Sequence, residues 1–120
     1  MKSISIIIPT FNEVQNIIPL VQKIKVSLNS KINWEIIFVD DNSPDKTYDR
    51  IKSLKKDYSN IKVIKRLNER GLAGAVLTGL NSCSYEHIIV MDADLQHDPI
   101  FILKLLDKMY RNEASIVVAS

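Results

Sequence analysis

The chain of 120 residues holds a single cysteine, three glycines and two histidines, and its net charge is only +2. One cysteine, Cys83, excludes a disulfide framework within the chain and a cysteine-based zinc site. It lies in an apolar, helix-patterned stretch and reads as a packing residue, in keeping with a reducing compartment. Few glycines leave no glycine-rich dinucleotide fingerprint after the first strand and no P-loop. The small net charge, with basic residues scattered as in "KSLKK" (Lys52–Lys56), gives no electrostatic footprint for nucleic acid. No apolar run approaches the ~18–20 residues of a membrane span. The N-terminus enters a strand pattern at once, without the look of a signal peptide, and there is no repeat, low-complexity tract or linker. The expectation is one cytoplasmic domain over residues 1–120.

Strand-like and helix-like segments alternate along the chain. "ISIII" (Ile4–Ile8), "WEIIFV" (Trp34–Val39), "IKVIK" (Ile61–Lys65), "HIIVM" (His87–Met91) and "ASIVVA" (Ala114–Ala119) are short, β-branched and apolar. From Val14, apolar residues recur at Ile17, Ile18, Val21, Ile24 and Leu28, one face of an amphipathic helix. Ser43 and Pro44 predict an N-cap and first helical residue for a second helix buried through Tyr48, Ile51, Leu54 and Tyr58. A third helix is expected from about Leu72 to Ser82. A fourth starts at Pro99 and carries Phe101, Ile102, Leu105, Leu106 and Met109. This alternation predicts an α/β fold with a mostly parallel sheet and helices on both faces. Its ligand would lie beyond the carboxyl ends of the strands.

The polar segments all follow strands: "PTFNE", "DDNSPDKT", "RLNERGLAGA" and "DADLQHD". In "VMDADLQHDP" (Val90–Pro99), Asp92 and Asp94 stand two apart, so an extended backbone points both carboxylates the same way. Two carboxylates brought together repel, and a hard divalent cation removes that repulsion. Oxygen donors without a His–Cys cluster suit Mg²⁺ or Mn²⁺, whose shell is completed by phosphate and water. Gln96 is placed to add an amide oxygen. Capping or surface exposure is the plainer reading of such residues, and Asp98 before Pro99 is a fair N-cap. Asp40 and Asp41 could accept hydrogen bonds from a nucleobase edge or a ribose, could touch the metal, or could serve as turn residues. Phe11 could stack on a base or pack in the core. Glu13 could bind a polar edge or sit in a first helical turn. Gly71 and Gly74 could let the backbone approach a phosphate, or Gly71 could simply supply a turn. Arg66 and Arg70 could face phosphates, but read more simply as exposed.

Taken in order and spacing, "IIIPTFNE", "FVDDNSPDKT", "RGLAGA" and "VMDADLQHDP" resemble the inverting family 2 glycosyltransferases of GT-A fold. The likeness covers nearly the whole chain and is nearest the branch of dolichol-phosphate mannosyltransferases and other polyprenyl-phosphate glycosyltransferases. It implies a Rossmann-like GT-A domain. Pro9, Phe11, Glu13, Val39 and Asp41 would contact the nucleoside. Asp92, Ala93, Asp94 and Gln96 would meet the metal and donor diphosphate, with Asp92 and Asp94 the catalytic pair. It also implies a nucleoside diphosphate sugar donor of the GDP-mannose or UDP-glucose class, a Mg²⁺ or Mn²⁺ cofactor, a polyprenyl or dolichyl phosphate acceptor, and a membrane surface for the longer protein.

Phe11 stands where tyrosine is usual, "GLAGA" where "GLGTA" is common, and "QHDP" where "QHPP" or "SHHP" is common. The family continues past the fifth strand into an acceptor-binding half. The chain is therefore expected to be the nucleotide-sugar portion, with an apolar sheet edge exposed and open to self-association. Rival readings are a nucleotide-binding module without transferase activity, a transferase acting on a saccharide hydroxyl, and a receiver-like Mg²⁺ domain. The receiver pattern places its acidic pair after the first strand, where this chain has Pro-Thr-Phe-Asn.

Overall fold

The computed structural model describes residues 2–28, 32–94, 100–112 and 114–119. Its elements run β1 (Lys2–Thr10), α1 (Ile17–Leu28), β2 (Ile32–Asp40), α2 (Thr47–Leu54), β3 (Ile61–Lys65), α3 (Leu72–Leu80), β4 (Ile88–Met91), α4 (Ile100–Asn112) and β5 (Ile116–Ala119). The strands form one sheet in the order β3-β2-β1-β4-β5, and every neighbouring pair is parallel. The chain winds outward from β1 to β3, then returns to place β4 against the other side of β1. The switch point therefore lies between β1 and β4. A receiver-like fold would follow the order 2-1-3-4-5, so the topology excludes that rival.

Side-chain alternation assigns the two faces. Ile4, Ile6 and Ile8 of β1, with Ile36 and Phe38 of β2, pack under Ile17, Leu20 and Ile24 of α1, Ile51 and Leu54 of α2, and Ile102, Leu106 and Met109 of α4. Ile7, Ile37, Val39, Ile88 and Val90 point the other way, against Ala75 of α3 with Val76, Leu80 and Cys83 beside it. Of the described helices only α3 covers that second face. Gly79 lets α3 sit close, since a Cβ there would lie 2.7 Å from Ile7 Cγ2. Cys83 lies beyond the end of α3 rather than within it, and burial pushes its thiol pKa up.

Beyond α3, none of the described helices covers β5 on this second face. Leu72, Ala73, Val76 and Leu77 with Val90, Met91, Asp92, Val118 and Ala119 line an open, mainly apolar cavity of about 480 Å³. Ile116 and Val118 of β5 and Leu77 of α3 are exposed, so the expected apolar surface beside the last strand is present. Among the described residues no helix is long and apolar enough to cross a membrane.

Candidate nucleotide and metal site

The loops after β1, β2 and β3, and the residues just past β4, lie at the carboxyl edge of the sheet because parallel strands deliver them there. Backbone bonds prolong the ladder past the strand ends: Asp41 N–H donates to Thr10 O (3.1 Å), and Arg66 N–H to Asp40 O (2.8 Å). Asp40 and Asp41 then leave on opposite faces. Asp40 is wholly buried. Its carboxylate accepts the Thr10 hydroxyl (2.8 Å), the Ser43 N–H (2.9 Å) and the Ser43 hydroxyl (2.6 Å). It is a lock between loops, and of the readings left open at Asp40 the turn reading holds. Asp41 emerges on the α3 face and lines the cavities described below.

The expected cap of α2 does not form at Ser43 and Pro44, because Ser43 is engaged with Asp40 and with the Asn12 N–H (2.9 Å). α2 begins at Thr47. Asp45 takes over there, accepting the Thr47 N–H (3.0 Å), the Thr47 hydroxyl and the Val14 N–H (3.2 Å). Burial opposes its ionisation, but these donors more than offset that and hold Asp45 below the usual carboxylate range. The Thr47 hydroxyl in turn receives the Glu13 N–H (3.0 Å). The β1–α1 and β2–α2 loops are thus stitched together. Asn12 (φ 57°) and Asn42 (φ 56°) supply the left-handed turns this needs.

Two cavities share Asp41. Pro9, Thr10, Phe11, Glu13, Gly71, Leu72 and Ala75 line one of about 230 Å³ with it, and Asn42, Leu67, Asn68, Glu69 and Arg70 line another of about 290 Å³. Phe11 is 39% exposed, at the mouth rather than in the core. The Arg70 guanidinium lies 4.2 Å from the centre of its ring, a cation–π contact. Glu13 accepts a bond from the Asn16 side-chain amide (2.7 Å). Val39 differs from its neighbours: its side chain is wholly buried in the α3-side core, so it has only main chain to offer a ligand.

Arg66 was expected at the surface and is 7% exposed. Its Nε donates to Asp41 Oδ1 (2.7 Å) and its Nη2 to Asp41 Oδ2 (2.9 Å), a two-pronged pair. Nη2 also reaches Gly71 O (2.9 Å), and Nη1 reaches Glu69 (3.3 Å). The bonds to Asp41 raise the Arg66 pKa, with burial opposing. Gly71 holds φ 122°, which only glycine adopts freely. Gly74 makes room for Arg66, since a Cβ there would stand 2.5 Å from Nη1. Both Gly74 and Arg66 serve the Asp41 pair. "RGLAGA" held a signal of this, because a glycine one turn into a helix marks a close neighbour, but nothing local said that the neighbour was Arg66.

Asp92 and Asp94, just past β4, are both exposed, whereas Ala93 between them is buried. The alternation expected from the spacing therefore exists at that edge, with the apolar residue turned in. Asp92 lines the apolar cavity together with Leu72, and Leu72 also lines the Asp41 cavity. Gln96, expected to join the carboxylates, lies outside the described residues, as do His97, Asp98 and Pro99. Among the described residues no group of three or more His, Cys, Asp or Glu could hold a metal alone. Two oxygen donors at an open strand end fit Mg²⁺ or Mn²⁺, which commonly rely on one or two carboxylates and on substrate phosphate.

Comparison with known proteins identifies the family. The family model for glycosyl transferase family 2 matches residues 5–120. The chain is 42% identical over 117 residues to a dolichol-phosphate mannosyltransferase of Pyrococcus furiosus. It is 37% identical over 108 residues to one of Saccharomyces cerevisiae. These alignments cover 98% and 88% of this chain but 32% and 40% of the relatives. A mannosyltransferase from Pyrobaculum calidifontis, solved with GDP-Man and Mn²⁺, superposes with a TM-score of 0.66 at 25% identity, over 76% of this chain and 27% of that one. Glucosyl-3-phosphoglycerate synthase of Mycobacterium tuberculosis, solved with Mn²⁺ and UDP, shares the fold at a TM-score of 0.70 and 22% identity, over 90% of this chain and 39% of that one. With its Rossmann-like sheet and the acidic loops that edge it, the chain belongs to glycosyl transferase family 2.

Proposed function

We propose that this chain carries the donor-binding part of an inverting glycosyltransferase that moves a sugar from a nucleoside diphosphate sugar to a polyprenyl phosphate at a membrane surface. The observation that carries the reading is the shared edge. The Asp41 cavity and the exposed Asp92 both border Leu72 at the switch-point end of the sheet, with exposed Asp94 two residues further on. The nucleoside would enter between Pro9, Phe11, Glu13 and Asp41. There the Phe11 ring offers a stacking face and Asp41 an acceptor for a base N–H or ribose hydroxyl. Asp92 and Asp94, with Gln96, would hold the divalent metal and through it the donor diphosphate.

A metal bound there supplies positive charge against the leaving diphosphate. The chain's own contribution is position: the Asp40 lock and the Asp45 stitch set the first two loops, and β4 delivers the two carboxylates beside them. A phosphate acceptor is already ionised near neutral pH, so the step asks no general base of these residues. Identity to dolichol-phosphate mannosyltransferases supports the polyprenyl phosphate acceptor. Mn²⁺ in the mannosyltransferase structure supports the metal.

Calorimetric titration with GDP, UDP, GDP-mannose and UDP-glucose, with and without Mn²⁺, tests the reading. Binding should require the metal and weaken at least about tenfold in Asp94→Asn, roughly one charge-assisted contact. Affinity indifferent to Mn²⁺ and to Asp94→Asn would overturn it.

A further inference from the structure

We propose that Arg66, seated in the space left by Gly74, is a positioning residue that presents the Asp41 carboxylate to the nucleoside. The inference rests on the donor-site reading above. Asp41 lines the same cavity as Pro9, Phe11, Glu13 and Gly71, but an aspartate at a loop start swings freely unless something holds it. Arg66 holds it by both oxygens, at 2.7 and 2.9 Å. The same guanidinium binds Gly71 O (2.9 Å), and Gly71 N–H returns a bond to Asp41 Oδ2 (3.3 Å). Arg66 therefore ties the end of β2 to the loop entering α3, the two walls of that cavity. A carboxylate has about four acceptor positions, so a carboxylate held this way still has capacity for a ligand donor.

The second observation is the space that the guanidinium occupies. Gly74 costs α3 about 1 kcal/mol relative to alanine, and the Cβ it lacks would stand 2.5 Å from Arg66 Nη1. The helix forgoes that stability where the guanidinium passes. Gly74→Ala thus moves Arg66 without removing a charge, and does so while favouring the helix.

The experiment measures affinity for GDP and UDP with Mn²⁺, affinity for inorganic pyrophosphate with Mn²⁺, and the melting temperature. It compares the wild type with Arg66→Met and Gly74→Ala. Both variants should bind nucleotide about tenfold or more weakly, the effect of a misplaced charge-assisted contact. Both should bind pyrophosphate within about twofold of wild type, and Gly74→Ala should melt no lower than wild type. Gly74→Ala carries the test if Arg66→Met fails to fold. Unchanged nucleotide affinity in folded Gly74→Ala overturns the proposal and reduces the pair to a structural tie. A parallel loss of pyrophosphate binding overturns it too, because the effect is then not at the nucleoside. A folded wild type that binds neither nucleotide nor pyrophosphate removes the donor-site reading itself, an outcome distinct from the other two.

Discussion

Strands β2 and β3 are joined by a charge pair near each end, and the two pairs do different work. Toward the amino end, Glu35 lies 2.9 Å from Lys62. It also accepts the Ser5 hydroxyl (2.6 Å), the Ser84 N–H and the Ser84 hydroxyl (3.2 Å). Ser5 receives the Tyr85 N–H (3.2 Å) in turn. Every partner belongs to the protein, and the cluster clips the loop before β4 onto the sheet. Toward the carboxyl end, Asp41 pairs with Arg66 at the wall of two cavities. The chemistry is the same, a desolvated carboxylate and a cation from the next strand. The difference is the wall, sealed at one end and open at the other. A charge pair becomes a candidate for function when some of its acceptor capacity faces a space a ligand can enter.

The sharpest way to break the comparison is Glu35→Ala. It leaves the Ser5 and Ser84 donors without their acceptor and should cost about 2–3 kcal/mol in denaturant unfolding, because buried groups lose a charged partner. Nucleotide affinity per folded molecule should stay within about twofold. An equal loss of binding would erase the distinction between the two ends.

Helix α3 offers a smaller version of the same contrast. At Gly79 a new Cβ meets buried Ile7 at 2.7 Å, so Gly79→Ala should destabilise by about 1 kcal/mol after its gain in helix propensity. Gly74→Ala should instead leave stability intact and weaken nucleotide binding. Thermal melts and titrations of the two alanine variants would show whether one substitution has separate consequences at the two ends.

The smallest expected effect is on the acid limb of stability. Burial raises the Glu35 pKa, but the Ser5 hydroxyl, the Ser84 N–H and Lys62 more than offset it, and the folded value falls below the ordinary 4.5. A lowered folded pKa means that this contribution is complete above about pH 4.5 and fades as pH falls through the folded value. Glu35→Gln should therefore flatten the stability profile below pH 4.5 relative to wild type, read as unfolding midpoint against pH. Asp45, also held low, should keep part of the slope in that variant.

Much of this organisation is legible along the chain. A β-branched run such as Ile4–Ile8 can hardly be other than a buried strand, and the lysine-interrupted Ile61–Lys65 reads as a strand that the structure leaves half-buried at the sheet edge. Polar segments after each strand are candidates for the ligand edge once the sheet is known to be parallel. Asp92 and Asp94 stand out by their period-two spacing, and both are exposed with Ala93 buried between them. Local signals misled where a side chain was already committed elsewhere: Ser43 and Pro44 look like a helix start, but Ser43 is taken by Asp40, so the helix waits until Thr47.

By itself the sequence determined the alternation of strands and helices, the absence of cysteine-based metal or disulfide chemistry, and the segments that carry oxygen donors. Those depend on periodicity and residue type, which are local. Only the tertiary structure decided that Asp40 is an internal lock while Asp41 faces the cavity, that Val39 is core, and that Arg66 is buried against Asp41 across 25 residues of chain. The physical reason is that a carboxylate's role depends on the strand face it leaves and on what the neighbouring strand places opposite it. Register, not composition, brings Thr10 to Asp40 and Arg66 to Asp41.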